Sequence, residues 1–380
     1  MNSLERVKLT IAHKEPDRVP IGEWGIDHDH VSRIIGRPTF WRNRRAQTLA
    51  MWEGRRDEVV EGMKRDYVDL IEALDYDVIP VELVPRRGFK VEDPPKKIDD
   101  ETWQDSAGRI YKYAASNDSI MRVNKPPPGK ESITDEEIAR YRASLLDIDE
   151  SQYELIDFIA DRYASTRAVC FRGVADYGVL VSPFGGDGEH QLITIASAPE
   201  ELMKLYDVAV DYDRILLDHC RRKGVFIGMT GHDYGGTNSC ILNPKLIRRV
   251  FMPLHARVAA LTREMGMIPF FHCCGAIYDI LEDWMNAGYV GYQSIQGSAG
   301  MDMAVIKQRY GDRLTLWTGI QCETLVAATP KKAVEEVKRS LEICMPGGGF
   351  IFGSTNSVQF GAKTGNYLKA IETVRKYGKY

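Results

Sequence analysis

The run His272-Cys273-Cys274-Gly275 is the sharpest chemical feature of the chain. Side chains alternate along an extended strand, so His272 and Cys274 would share one side. An imidazole and a thiolate together suit Zn²⁺. Two ligands do not close a site, and Cys322, Glu23, His28, His232 and Asp233 are the residues that could complete it, with Cys322 the thiol taken as third ligand. The same run also reads as a buried cysteine pair packed as small apolar groups beside a hydrogen-bonded histidine. A second feature is Gly231 to Gly236, where His232 and Asp233 stand on a glycine-rich turn that could aim them at a substrate. Asp is equally a common turn former. With Glu23, these two are the candidates for moving a proton. Trp24, Tyr177, Phe184, Tyr234 and Trp317 could wall a flat substrate or simply pack the core, while His28, Gln293 and Asn356 would supply polar contacts.

These residues fall at the ends of short apolar runs separated by segments with helical spacing, the pattern of βα units on a parallel sheet. Eight runs stand out: Arg18 to Trp24, Asp77 to Glu82, Ala168 to Val174, Val225 to Thr230, Ile268 to Cys273, Tyr289 to Ile295, Arg313 to Gly319 and Gly349 to Ser354. Eight parallel strands favour an α/β fold of the (β/α)₈ TIM-barrel type, whose sites lie at the C-terminal strand ends. Four of the 8 histidines (28, 30, 232 and 272) fall at such ends. Pro244 to Met265 reads as a helix behind the N-cap Asn243, and Thr329-Pro330 opens a helix to Leu341. Residues 86–128 break the pattern with prolines and short polar strands, including a hairpin turn at Asp105-Ser106-Ala107-Gly108. This β-rich insertion after the second strand would cover the barrel mouth, make a subunit contact such as that of a homodimer, or stand free in solvent. Gly347-Gly348-Gly349 precedes the last strand and so is no phosphate loop.

With 380 residues, 44% of them hydrophobic, the chain can bury one large core, and a single domain over 1–380 with a short N-terminal helical segment is expected. Lys and Arg number 50 against 54 Asp and Glu, which gives no global attraction to nucleic acid or to an anionic membrane. Charges scattered from Met1 to Val19 leave no apolar run for a signal peptide, so a cytoplasmic location is expected. Seven cysteines, two of them adjacent, suit reduced thiols.

Several motifs occur in the order found in one known superfamily. Glu5-Arg6-Val7 through Ala12-His13-Lys14-Glu15-Pro16-Asp17-Arg18-Val19-Pro20 resembles the opening signature of the uroporphyrinogen decarboxylase-like superfamily. Asn243-Pro244-Lys245 with Phe251-Met252-Pro253, then His272 to Gly275, Gly311-Asp312-Arg313 with Trp317-Thr318-Gly319-Ile320, and Gly347-Gly348-Gly349-Phe350-Ile351 continue the resemblance. The decarboxylase proper carries an Arg-rich N-terminal motif that holds substrate carboxylates, whereas this chain has Gly22-Glu23-Trp24-Gly25-Ile26-Asp27. The resemblance therefore implies the corrinoid-dependent methyltransferase branch, whose partner is a separate small corrinoid (cobalamin) protein. In the relatives that methylate coenzyme M, zinc is held by a His-x-Cys pair and a third Cys after the last strand. His272 and Cys274 match the pair, and Ser354 stands near the third position. Losing a thiolate disfavours activation of a thiol acceptor but not removal of a methyl group from an aromatic ether. The expectation is thus an O-demethylase component that passes methyl from a methoxylated aromatic to cobalt(I). The alternatives are a methylcobamide:thiol methyltransferase, or a non-catalytic barrel that only binds a tetrapyrrole or corrinoid.

Overall fold

The computed structural model describes residues 1–380. Its centre is a curled parallel sheet of seven strands, β1 (Val78–Val81), β6 (Ala168–Val174), β7 (Ile227–Gly231), β8 (Ile268–Cys273), β9 (Gly291–Ser294), β10 (Thr315–Ile320) and β11 (Phe350–Ser354), hydrogen-bonded in that order. Between β1 and β6 lies a separate four-stranded antiparallel sheet, β2 (Lys96–Lys97), β3 (Thr102–Gln104), β4 (Ile110–Ala114) and β5 (Ser119–Arg122). Its β3–β4 turn uses Asp105, whose carboxylate accepts the Arg109 amide at 2.8 Å, and Gly108 at φ +75°.

The expected first strand, Arg18 to Trp24, does not form as a strand. Pro20 has no amide to donate, and what remains is a pair of single parallel bridges, Ile21 to Phe352 on β11 and Gly22 to Val78 on β1. Through them one short segment joins both edges of the seven-stranded sheet. Gly22 is required there: a Cβ would lie 2.7 Å from that of Val78.

Alternation divides the inner face of the curl into two layers. Val78, Ala168, Cys170, Ile227, Met229, Phe270, Trp317 and Ile351 form a closed apolar floor. Two residues beyond Cys170, Met229 and Phe270 the same face carries Arg172, Gly231 and His272, and four beyond Val78 it carries Glu82, so the period that builds the floor delivers polar groups to the C-terminal rim. The opposite side chains, such as Phe271, Cys273 and Tyr292, face the surrounding helices and join the main core.

The helices start where side chains replace missing backbone partners. Asn2 and Glu5 form a capping box on Ser3–Ile11, and Thr329 caps Pro330–Cys344. The expected single helix from Pro244 to Met265 is instead two, Pro244–Val250 and Met252–Glu264, because the Pro253 ring cannot donate to the carbonyl one turn back. No helix is long and apolar enough to cross a membrane.

Candidate active site at the strand ends

His272 ends the inner face of β8 and Cys274 follows it on the same side. Cys273 points outward, its sulfur accepting the Tyr234 amide at 3.2 Å. Cys274 Sγ lies 3.5 Å from His272 Nε2, and Asp233 Oδ1, from the loop after β7, lies 3.6 Å from that nitrogen. The three ligand atoms fall within 4.8 Å of one another. Ligands at 2.0–2.3 Å in a tetrahedron about one zinc would stand roughly 3.3–3.7 Å apart, so His272, Cys274 and Asp233 fit one ion with a position left open.

The surroundings prepare the donors. Gln293 Nε2 donates to the Ser354 carbonyl at 3.0 Å, which turns its Oε1 toward His272 Nδ1. An amide oxygen only accepts, so the His272 proton resides on Nδ1 and the Nε2 lone pair faces Cys274 and Asp233. Burial lowers the His272 pKa and keeps the ring neutral. Burial pushes the Cys274 thiol up to about 12, so a cation beside it is what would make it a thiolate. Asn356 Nδ2 already donates to that sulfur at 3.0 Å. Asp233 is fixed by the Cys274 amide, donated to Oδ1 at 2.7 Å.

This loop approach depends on two glycines. A Cβ on Gly235 would sit 2.4 Å from the Cys274 carbonyl oxygen, and Gly275 adopts φ +81°, so the β7 and β8 loops touch backbone to backbone. On the other flank Ser294 and Ile295 hold φ of +128° and +69°, strained for a hydroxyl and a β-branched residue. The strained turn places Ser294 Oγ 3.4 Å from Cys274 Sγ and 2.7 Å from the Thr355 carbonyl, to which it donates.

Beside the triad opens a cavity of about 530 Å³ lined by Trp24, Arg42, Arg44, Glu82, Arg172, His232, Asp233, His272, Asn356 and Ser357 together with Gly231. Trp24 stacks on His272 with ring centres 4.4 Å apart and planes 2° from parallel, and the Arg172 guanidinium lies over the same indole at 4.9 Å. His232 lines the cavity with Nδ1 3.6 Å from Asp176. Tyr177 rests against His232 just outside the lining.

The remaining sequence candidates are placed elsewhere. Glu23 is buried below the rim, accepting the Ser354 hydroxyl at 2.5 Å and the Ser354 and Trp24 amides. Burial outweighs these bonds and pushes its pKa up to about 8. Ser354 spends its hydroxyl on Glu23 and the Asn356 carbonyl, and the third ligand-type atom beside the His–Cys pair is that of Asp233 on the opposite loop. Cys322 opens the helix Cys322–Ala327 and packs against the Ser357 carbonyl and the Thr355 hydroxyl, outside the triad. Tyr234 is buried among the helices with its hydroxyl on His255 Nε2 at 2.8 Å, and Trp317 lies in the apolar floor donating to the Gly22 carbonyl. Phe184 is likewise core, so of the expected aromatic wall only Trp24 lines the cavity. His28 pairs with Asp118 at 2.9 Å, tying the rim to the antiparallel sheet. His30 is a core residue held by Thr364 and the Gln359 carbonyl.

The cavity residues that sequence reasoning missed are Arg42, Arg44 and Arg172. Arg172 was legible as the one charge in an otherwise apolar strand, in step with the inward Ala168 and Cys170.

The uroporphyrinogen decarboxylase (URO-D) family pattern matches residues 185–377, just over half of the chain, from before β7 to the last helix. The chain belongs to this family. Among solved structures, a methyltransferase from Methanosarcina mazei is similar over 99% of this chain and 98% of its own, at 16% identity and a TM-score of 0.64. That likeness fixes the fold of the whole chain, including the part before residue 185. A D-psicose 3-epimerase from Clostridium cellulolyticum H10 aligns with 64% of this chain and 92% of its own, at 13% identity and a TM-score of only 0.38. Among curated proteins none matches.

Proposed function

We propose that this member of the family is a methyltransferase that takes a methyl group from a methoxylated aromatic compound and passes it to the cobalt(I) of a separate corrinoid protein. The observation that carries the reading is the mixed His272, Cys274 and Asp233 donor set beside a cavity wall made by the Trp24 indole. A site that activates a thiol gains from several thiolates. A single thiolate with a nitrogen and an oxygen donor leaves an ion more electrophilic, which suits an oxygen leaving group. The overall likeness to the Methanosarcina mazei methyltransferase agrees with this class of reaction.

In the proposed reaction the methyl carbon moves to cobalt while the ether oxygen keeps the bonding pair, so a phenolate develops. Zinc, when bound by His272, Cys274 and Asp233, would supply a Lewis acid for that oxygen. Trp24, held between the His272 imidazole and the Arg172 guanidinium, offers the ring an apolar wall by its exposed edge. Asp233, engaged in the triad, is not a free acid, and buried Glu23 does not line the cavity, so His232 is the residue that delivers the proton to the phenol oxygen. Gln293 and Asn356 act by holding His272 and Cys274 in the tautomer and orientation described above.

The test follows the cobalt spectrum when the purified protein is mixed with a reduced corrinoid protein and a methoxyarene. Methyl transfer is expected, with His272→Ala and Cys274→Ala each losing zinc and about 10²- to 10³-fold in rate, and His232→Ala losing about 10²-fold. Methylation of coenzyme M or another thiol from methylcobalamin, with no turnover of any aryl methyl ether, would overturn the reading in favour of the thiol methyltransferase.

A further inference from the structure

The Cys274 sulfur has several polar neighbours, and one of them brings it a proton. The Asp233 carboxylate can only accept. His272 Nε2 lies 3.5 Å away, but the Gln293 oxygen holds the ring proton on Nδ1, so Nε2 presents a lone pair. Ser294 Oγ lies 3.4 Å away, and its single proton goes to the Thr355 carbonyl at 2.7 Å. That leaves Asn356, whose Nδ2 donates to the sulfur at 3.0 Å. Its amide cannot turn over without losing a bond, because Oδ1 accepts the Ser357 amide at 2.7 Å. The residue is also held from behind: Ser354 Oγ lies 2.6 Å from the Asn356 carbonyl and 2.5 Å from Glu23. Two neighbours of Asn356 in the chain thus aim one N–H at one sulfur.

We infer that Asn356 sets the electronic character of the single thiolate in the triad: it is a positioning residue that acts through Cys274, draws charge off the sulfur and leaves a bound divalent ion harder and more electrophilic. The inference rests on the reading that His272, Cys274 and Asp233 hold one ion, and not on the identity of the methyl donor. A hydrogen bond to a charged acceptor is stronger than one to a neutral acceptor, so the Asn356 contact gains strength when Cys274 ionises beside a cation. The same bond lowers the energy of the sulfur lone pairs, and a thiolate that donates less leaves more positive charge on its metal. With one sulfur among three donors, no second thiolate makes up the difference. A harder ion favours an oxygen leaving group over a thiol, so this amide contributes to the choice between the two classes of substrate.

The test uses metal ions alone, with no corrinoid protein and no methyl donor. Cobalt(II) titrated into the protein after chelation is expected to give a sulfur-to-cobalt charge-transfer band in the near ultraviolet, with the visible bands of a four-coordinate site. In Asn356→Leu, which keeps the bulk and removes the donor, the charge-transfer band should move to lower energy while the visible bands keep their intensity. Competition between cadmium(II) and zinc(II) at a single pH gives a second readout. Both ions require the thiol proton to leave, so that cost cancels in the ratio, and the preference for the softer cadmium should rise by about 10-fold in the variant. Asn356→Ala, at a half-buried position and verified as folded by its melting temperature, repeats both measurements with a smaller side chain. Ser294→Ala removes a hydroxyl committed to Thr355 and should leave both readouts where the unaltered protein has them. A band that stays in place or moves to higher energy in the Asn356 variants, an unchanged metal ratio, or an equal shift in Ser294→Ala would overturn the inference. If the unaltered protein gives no charge-transfer band, Cys274 is not a ligand and the reading of the metal site falls as well.

Discussion

The two ends of the curled sheet each gather arginines and aspartates, and they do so to opposite effect. At the N-terminal end, buried Asp77 accepts Arg6 and Arg18, both at 2.6 Å, and the Ile21 amide at 2.7 Å, while Arg6 also grips Asp17. There each cation has an anion and the central carboxylate is saturated. At the C-terminal end Arg172 keeps an idle Nε, Arg44 has no acid and the Asp233 side chain stands half exposed. Polar groups that satisfy each other hold a structure; polar groups held apart in a rigid wall keep their bonding capacity for a ligand. The comparison also explains the N-terminal signature. Arg6, Asp17 and Arg18 are the closure of the floor, so that stretch of resemblance reports the fold and says nothing of the substrate.

The largest expected effect tests the saturated end. Asp77→Ala leaves Arg6 with Asp17 alone and Arg18 with only Asp75 at 3.7 Å, and it strands the Ile21 amide, so urea unfolding should show a loss of about 3–5 kcal/mol. Ligand binding by the fraction still folded should be unchanged. A loss below about 1 kcal/mol would mean that the network contributes no more than surface ion pairs do.

An effect of opposite sign, spread over several pH units, is expected at the other end. Glu23 has its pKa raised from 4.5 to about 8 on folding, so between those values the folded chain holds a proton that the unfolded chain has released. Its contribution is present in full at low pH and is lost as pH rises through that window, at up to about 1.4 kcal/mol per pH unit. Glu23→Gln removes the dependence. The stability of the variant relative to the parent should therefore climb from pH 5 to pH 8, as followed by denaturant midpoints, and a flat difference would show that the carboxylate stays ionised under its Ser354 and Trp24 bonds.

Tyr234→Phe gives the smallest change. It deletes one bond to His255 in the helical layer behind the strands, which should cost about 1 kcal/mol of stability and leave affinity for zinc unaltered. A loss of zinc would place Tyr234 in the working end after all.

What could be read from the sequence follows the same division. Seven of the eight expected strands are present because runs such as Ile268 to Cys273 carry their own periodicity, and the rim was located because strand ends follow from strands. The apolar residues of the first run satisfy the strand pattern, but Pro20 and the crowding around Gly22 leave room for only two bridges. Depth along the barrel axis was not legible. Trp24 and Trp317 both lie near strand ends in the sequence, yet one walls the cavity and the other is sealed in the floor, a distinction set by stagger between neighbouring strands. Cys322 has the chemistry of a ligand, but its thiol is drawn into the helix start at Cys322–Ala327, while Asp233 is carried to the His–Cys pair by the Gly235–Gly275 contact, a long-range event with no local signal. Arg44 was invisible for a similar reason, since it reaches the rim from a connection and not from a strand.

The segment that replaces the first strand has a consequence for motion. A handful of backbone bonds seam the two sheet edges together: Gly22 to the Phe352 carbonyl, Phe352 to the Pro20 carbonyl, Asp77 and Val78 to the Ile21 carbonyl and, past β11, Asp27 to the Val358 carbonyl and Val358 to the Gly25 carbonyl. Glu23 and Trp24 stand immediately beyond that seam. Local opening there would part the two edges of the curled sheet, so the amides of Gly22 and Phe352 should exchange with solvent deuterium sooner than those within β7 and β8. Each such excursion would lift the indole off the His272 imidazole and unroof the triad.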